Sequence, residues 1–325
     1  MPSLTIIARR ETWPLRETFI ISRGAKTAAE TVVAEVSDGM HRGRGEAVPY
    51  ARYGETVDGT LTAIQSVADR ISARSDLTQL LKPGAALNAL DCAFWDYESK
   101  RTGVSLTKLA GLAEPTEKIT AFTLSLDTPD VMADKAARVP HLSLLKLKLG
   151  GDGDDLRMRA VRQARPDARL IVDANEAWTA ETIAPLLTVA AECRIELIEQ
   201  PLPAGHDEIL RVITHLVPLC ADESVHTADD VERLLGLYDA VNIKLDKAGG
   251  LTGAIRLLNE ARRHNLKIMI GSMVATSLAV APAMLLAPYA DWIDLDGPLL
   301  LAHDRADGLH IENGIVYPPI PKLWG

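Results

Sequence analysis

The sequence predicts an α/β fold: a (β/α) barrel of the TIM type behind an N-terminal α+β capping domain. Three observations predict it. After residue 119 come eight short apolar runs, each ending in a polar or charged residue and followed by an amphipathic helical stretch. From Lys148 the marked ends fall at 173, 199, 222, 244, 271 and 294, spaced by 22 to 27 residues, the length of one strand, loop and helix. The first 115 residues lack this rhythm and read as a mixed segment.

In that segment Ile6–Arg9 and Thr31–Val36 read as β-branched strands flanking a polar loop, Ile21–Lys26. Helix is expected from about Val57 to Leu81, and again over Gly84–Ser99, where Leu87, Leu90 and Phe94 recur at helical spacing. The barrel strands are expected at Ala121–Leu126, Leu142–Lys148, Arg169–Asp173, Ile195–Glu199, Pro218–Asp222, Ala240–Lys244, Lys267–Gly271 and Trp292–Asp296. The barrel thus occupies residues 116–300, and 301–325 forms a return packed on the capping domain, residues 1–115.

Composition excludes several function classes. A chain of 325 residues, 47% hydrophobic and 24% charged, is neither disordered nor collagenous. Its net charge of -9, without a basic run, leaves no footprint for nucleic acid. Three widely spaced cysteines give neither a zinc pair nor a disulfide framework, which predicts a reducing, cytoplasmic setting. The N-terminal stretch is broken by charge too early for a secretory segment, and the uncharged run 268–290, interrupted by glycine and proline, is expected as a strand, a loop and a core helix rather than a membrane span.

The chemistry concentrates at strand ends, where a barrel gathers its catalytic groups. Strands three, four and five end in Asp173, Glu199 and Asp222. Three converging carboxylates repel one another unless a cation joins them, and an oxygen-only set favours Mg²⁺. A lone Asp there is as readily a helix cap, but Glu199 precedes Gln200–Pro201, where no helix has yet begun. Strand two alternates Leu145, Lys146, Leu147, Lys148, so both lysines share one face. With the leucines against the outer helices, Lys146 and Lys148 point inward. Lys244 ends strand six, opposite strand two in a barrel of eight. Two opposed bases beside a metal-held carboxylate suit removal of an α-proton on one side and its return on the other, which is racemisation or epimerisation. A base must be neutral, so the lysine pKa is expected to fall from about 10.4 towards about 7 or 8.

These residues resemble the enolase superfamily, which pairs Lys or His bases with Mg²⁺, and within it the muconate-lactonising subgroup with its Lys-x-Lys motif. The similarity covers almost the whole chain. It is specific in Asp173-Ala174-Asn175-Glu176, Glu199-Gln200-Pro201-Leu202-Pro203, Ala221-Asp222-Glu223-Ser224 and Asn242-Ile243-Lys244-Leu245-Asp246-Lys247. Asp294-Leu295-Asp296 narrows it to the dipeptide epimerases, those acting on L-Ala-D/L-Glu in particular. The resemblance implies that Asp294 and Asp296 receive the substrate's α-ammonium and that Arg23 grips a glutamate side chain, the mouth otherwise offering no cation for a second acid. It further implies that Thr123 touches substrate, that Lys146 lowers the Lys148 pKa and helps hold the carboxylate, that Tyr50–Glu55 closes over the site, and that the enzyme is a homo-oligomer serving cell-wall peptide recycling. Within the fold the rivals are an N-acylamino acid racemase and an o-succinylbenzoate synthase. A Schiff-base aldolase and a non-catalytic binding protein are the alternatives from other classes.

Overall fold

The computed structural model describes residues 4–325; the N-terminal stretch thus falls within it except for its first three residues. The capping domain opens with a long antiparallel hairpin, β1 (Thr5–Ile21) and β2 (Gly24–Ser37), followed by β3 (Arg42–Ala47). The two expected strands are therefore much longer, and the polar loop shrinks to a tip at Ser22 and Arg23. Strand β3 has no apolar alternation to announce it. Its Gly43 and Gly45 let the helix over Ala85–Thr102 approach so closely that a Cβ on either would stand about 2 Å from the carbonyl oxygen of Ala93 or Ala89.

The helix expected over 57–81 is broken into α1 (Val57–Val67), 3₁₀ turns and α2 (Leu77–Leu80), while α3 runs Ala85–Thr102 and α4 runs Leu106–Ala110. The face of α3 against β2 and β3, with Leu90, Phe94 and Tyr97, forms the capping domain's own core.

The parallel barrel is as expected. After β4 (Lys118–Ile119) come β5 (Phe122–Leu124), β6 (Leu144–Lys148), β7 (Arg169–Asp173), β8 (Ile195–Glu199), β9 (Leu219–Ala221), β10 (Ala240–Ile243), β11 (Lys267–Gly271) and β12 (Trp292–Asp294), hydrogen-bonded in that order. The ring is drawn together where Ala121 N–H donates to Ile293 O at 2.7 Å. Leu145, Leu147 and Leu149 face the outer core, as the alternation predicts.

The helical layer departs from the expected regularity. Full helices follow strands β5 to β7, as α5 (Pro129–Ala137), α6 (Asp154–Ala164) and α7 (Ile183–Glu192), and β10, as α9 (Leu245–Ala248) with α10 (Leu251–Arg263). After β8 there is only a 3₁₀ turn at Glu208–Arg211, since Pro201 and Pro203 keep that segment's start out of the helical basin. After β9 stands the single turn α8 (Val231–Leu234), after β11 α11 (Ser277–Val280) with 3₁₀ turns, and after β12 α12 (Gly297–Leu300). No described helix is long and apolar enough to cross a membrane; residues 268–290 form the strand and loop expected of them, with the core helix broken into α11 and 3₁₀ turns. The return pairs β13 (Ile311–Glu312) with β14 (Ile315–Val316) and β14 with β4, and at the chain end Trp324 Nε1 donates to Cys92 O on α3.

Candidate active site

The barrel interior is layered by the two-residue period of its strands. One inward residue per strand, Ala121, Leu144, Ile171, Leu197, Cys220, Ala240, Met269 and Trp292, makes an apolar plug. Two residues further along each strand the same face carries Thr123, Lys146, Asp173, Glu199, Asp222, Asn242, Gly271 and Asp294. Polarity thus switches in a single step at the C-terminal mouth, and the next step brings Lys148, Asn175, Lys244 and Asp296.

Above these layers lies a cavity of about 770 Å³. Thr123, Lys146, Lys148, Asp222, Lys244, Asp294 and Asp296 line it from the barrel, and Arg23, Lys26, Tyr50, Arg52 and Tyr53 from the capping domain. Asp173 and Glu199 do not line it; they are sealed beside the lysines.

Ion pairs fill the floor. Lys146 Nζ lies 2.5 Å from Glu199 Oε2, 2.6 Å from Asp294 Oδ2 and 3.3 Å from Asp173 Oδ2. Lys148 Nζ donates to Asp173 Oδ2 at 2.6 Å and Lys244 Nζ to Asp222 Oδ2 at 2.6 Å. Both base candidates thus point inward, Lys148 from the last position of β6 and Lys244 from the residue after β10, four strands apart in a ring of eight. At Lys244 the expected fall in pKa is reversed. Burial works to lower Lys146 and Lys244, but Asp294 and Glu199 on one, and Asp222 and Glu199 on the other, hold both well above the ordinary lysine value. Burial likewise works to raise Asp222, and the charges of Lys244 and Lys247 keep it well below the usual carboxylate range.

The three acids are neighbours in the sheet: Asp173 is in register with Glu199, and Glu199 with Cys220, two residues before Asp222. Among the described residues no three acidic, His or Cys side chains form a ready-made metal cluster, because each of these acids is turned on a lysine. The donor set nonetheless fits a hard cation. All its atoms are oxygen, and burial together with the charge of Asp173 pushes the Glu199 carboxyl up. Glu199 Oε2, despite its short distance to Lys146, accepts no well-directed hydrogen bond.

Sequence reasoning missed the residues that hold these groups. Asn242 Nδ2 donates to Glu199 Oε1 at 2.7 Å, in space that exists because residue 271 is Gly; a Cβ there would stand 2.6 Å from Asn242 Oδ1. Gln200 accepts from the Asp222 and Ser224 amides and donates to Tyr238 OH, from a left-handed backbone with φ of 35° that costs about 1–3 kcal/mol. Its position before Pro201 signalled only that right-handed helical backbone is disfavoured there, not the left-handed backbone found. The acidic glycine turn after β6 is a turn held by Asp154, which accepts from Gly150 and Gly151 N–H.

The capping loops meet the barrel through arginines. Arg23 donates to Glu223 Oε1 at 2.6 Å, Asn175 O at 2.9 Å and Glu176 Oε2 at 3.2 Å, and Arg52 grips Glu176 with two bonds. Arg23 is therefore at the mouth as expected, but its charge is already matched. It is also not alone, contrary to the expectation that the mouth offers no other cation. Lys26 lines the same cavity with its Nζ 4.9 Å from the Tyr50 ring centroid, and no described carboxylate lies within 4 Å of it.

A capped parallel barrel with opposed lysines and three strand-end acids at its mouth defines the enolase class of acid–base enzyme. Sequence models agree: residues 3–111 match the mandelate racemase / muconate lactonizing enzyme N-terminal domain and residues 131–321 the enolase C-terminal domain-like model. The chain belongs to this mandelate racemase / muconate lactonizing enzyme family of the enolase superfamily. It is 43% identical to an L-Ala-D/L-Glu epimerase of Escherichia coli, over 95% of this chain and 98% of that one. It is 42% identical to an N-acetyl-D-glutamate racemase of Pseudoalteromonas, over 90% and 95%. An enolase family member from Agrobacterium tumefaciens with homology to dipeptide epimerases, solved with sodium and L-Ala-L-Glu, superposes with a TM-score of 0.97 at 48% identity, covering 99% of this chain and 100% of that one.

Proposed function

We propose that the protein is an Mg²⁺-dependent dipeptide epimerase, an isomerase that inverts the α-carbon of the C-terminal residue of L-Ala-Glu. The observation that carries this is the placing of Lys148 and Lys244 on strands four apart, with Asp294 and Asp296 on a third side of the same cavity. Opposed bases invert a carbon, and a pair of acids away from them receives an ammonium. The epimerase and the dipeptide-bound structure among its relatives support the reading.

Asp173, Glu199 and Asp222 would hold the cation, which when bound stabilises the charge gathered on the substrate carboxylate as its α-proton leaves. To hold a cation there, these acids would have to be released by Lys146, Lys148 and Lys244, which would leave the two base lysines facing the cavity. Lys148 takes or returns the proton on one face and Lys244 on the other. Lys26, beside Arg23, supplies positive charge for the glutamate side chain. Tyr50 to Tyr53 cover the mouth and shield the lysines from water. Recycling of cell-wall peptides in the cytoplasm, by a homo-oligomer, is the setting we infer.

A second reading has one observation in its favour, the racemase of N-acetylglutamate among the relatives. That substrate shares the glutamate but carries no ammonium for Asp294 and Asp296. Incubation of L-Ala-L-Glu, L-Ala-D-Glu and N-acetylglutamate in D₂O with Mg²⁺, followed by NMR, separates the two. We expect exchange and inversion of both dipeptides, abolished by EDTA. Turnover of N-acetylglutamate alone would refute the dipeptide reading, and a borohydride-trapped adduct would indicate a Schiff base instead.

A further inference from the structure

Lys247 has no part in the scheme above, yet all three of its ammonium protons are taken up inside the site. It lies on α9, three residues after Lys244, and is 2% exposed. Its Nζ donates to Asp222 Oδ1 at 2.5 Å, to Asp222 O at 2.6 Å and to Asn242 O at 3.2 Å. An ammonium has three protons and no acceptor site, so this one is saturated and has nothing left for a substrate.

Asp222 is consequently divided. Its main chain and Oδ1 are held by Lys247, and Oδ2 by Lys244. The opposite face is built otherwise. Asp173 presents Oδ2 to Lys148 and Lys146, while its Oδ1 accepts from the backbone N–H of Asn175 at 2.9 Å. One base therefore rests on an acid clamped by a buried side chain, the other on an acid clamped by the main chain.

We propose that Lys247 is a positioning residue for one face of the reaction. It fixes the Asp222 rotamer and the end of β10 so that Lys244 Nζ stands at its own side of the cavity, and it leaves Lys148 untouched. This rests on the reading of Lys148 and Lys244 as the two bases.

The test is α-proton exchange in D₂O with each hand of L-Ala-Glu at saturating Mg²⁺, for the wild type, Lys148→Ala, Lys244→Ala and Lys247→Met. The two alanine variants assign each hand to its base. Lys247→Met should slow exchange of the hand that needs Lys244 at least ~10-fold more than the other, about 1.4 kcal/mol of barrel-mouth geometry felt on one side only. The exchange retained through Lys148 shows that the barrel is folded. A crystal structure of the metal-free variant should show Lys244 Nζ moved out of hydrogen-bonding range of Asp222, with Lys148–Asp173 unchanged from the metal-free wild type. Equal losses with both hands, or an undisturbed Lys244–Asp222 pair, overturn the proposal. Should the methionine variant not fold, Lys247→Gln, which keeps two donors, takes its place, and failure of both to fold shows a purely structural lysine. A wild type that exchanges neither hand refutes the two-base reading itself.

Discussion

Lys146 Nζ lies 2.6 Å from Asp294 Oδ2, so the first lysine of the Lys-x-Lys strand is bonded across the barrel to an acid expected to serve the substrate's ammonium. Asp294 thus already has a cation, and Asp296 is the acid of the pair that lacks one. It accepts from the Thr123 N–H at 2.6 Å, and burial together with the charge of Asp294 raises its carboxyl to about 7. Only the ionised form pairs with an ammonium. We therefore expect KM for a free dipeptide to rise as pH falls through about 7. In Asp296→Asn that dependence should disappear and KM should increase roughly ten- to a hundredfold, the ~1.5–3 kcal/mol of a charged hydrogen bond. Steady-state kinetics from pH 6 to 8.5 would decide it; a wild-type KM flat in pH would remove Asp296 from the binding site.

Each base should leave its own trace when removed. Lys244→Ala should lose net epimerisation by about 10³-fold or more, within the range of a general base, while one hand of substrate still exchanges its α-proton through Lys148. Lys148→Ala should show the mirror pattern. Mass spectrometry of deuterium incorporation reads both, and full epimerisation by either variant would end the two-base scheme.

Lys26, with no described acid beside it, predicts which variant changes side-chain selectivity. Arg23 is matched by Glu223 and Glu176, whereas Lys26 only overlies Tyr50. Lys26→Met should raise KM for L-Ala-Glu about tenfold or more, the worth of a hydrogen bond to a charged group, and leave a dipeptide ending in Leu unaffected. Arg23→Met should harm both substrates, since it undocks the hairpin tip from Asn175. Parallel kinetics on the two dipeptides check this, and equal losses in Lys26→Met would show that the lysine does not read the side chain.

What the chain disclosed beforehand follows the reach of local physics. Strand ends at Asp173, Glu199 and Gly271 were legible to the residue, because a parallel strand buried on both faces is an unbroken apolar run. Inward lysines followed from the alternation in β6. Contacts across the ring did not, as nothing local links Lys146 to Asp294 or Asn242 to Glu199, 148 and 43 residues apart. The sign of the lysine pKa shift depended on those unseen partners. Strand β3 stayed hidden because its glycines serve the approach of α3 rather than any alternation of their own.

Asp246 couples the capping domain to the barrel in a way that pH should expose. Its Oδ1 accepts from Val48 N–H at 2.8 Å and Asn88 Nδ2 at 2.9 Å, which ties the end of β3 and helix α3 to α9. Burial raises this carboxyl from 3.8 to about 7. A raised carboxyl binds its proton more tightly in the folded state, so stability falls as pH climbs from about 4 to 7, and the full cost, on the order of 4 kcal/mol, is present above that window. Asparagine keeps the acceptor and carries no charge. Asp246→Asn should therefore be more stable than the wild type at pH 8, with the gap narrowing at pH 5 and closing near pH 4. Urea unfolding across this range measures it. A variant less stable than the wild type at pH 8 would mean that the ionised carboxylate, rather than its neutral form, holds the two domains together.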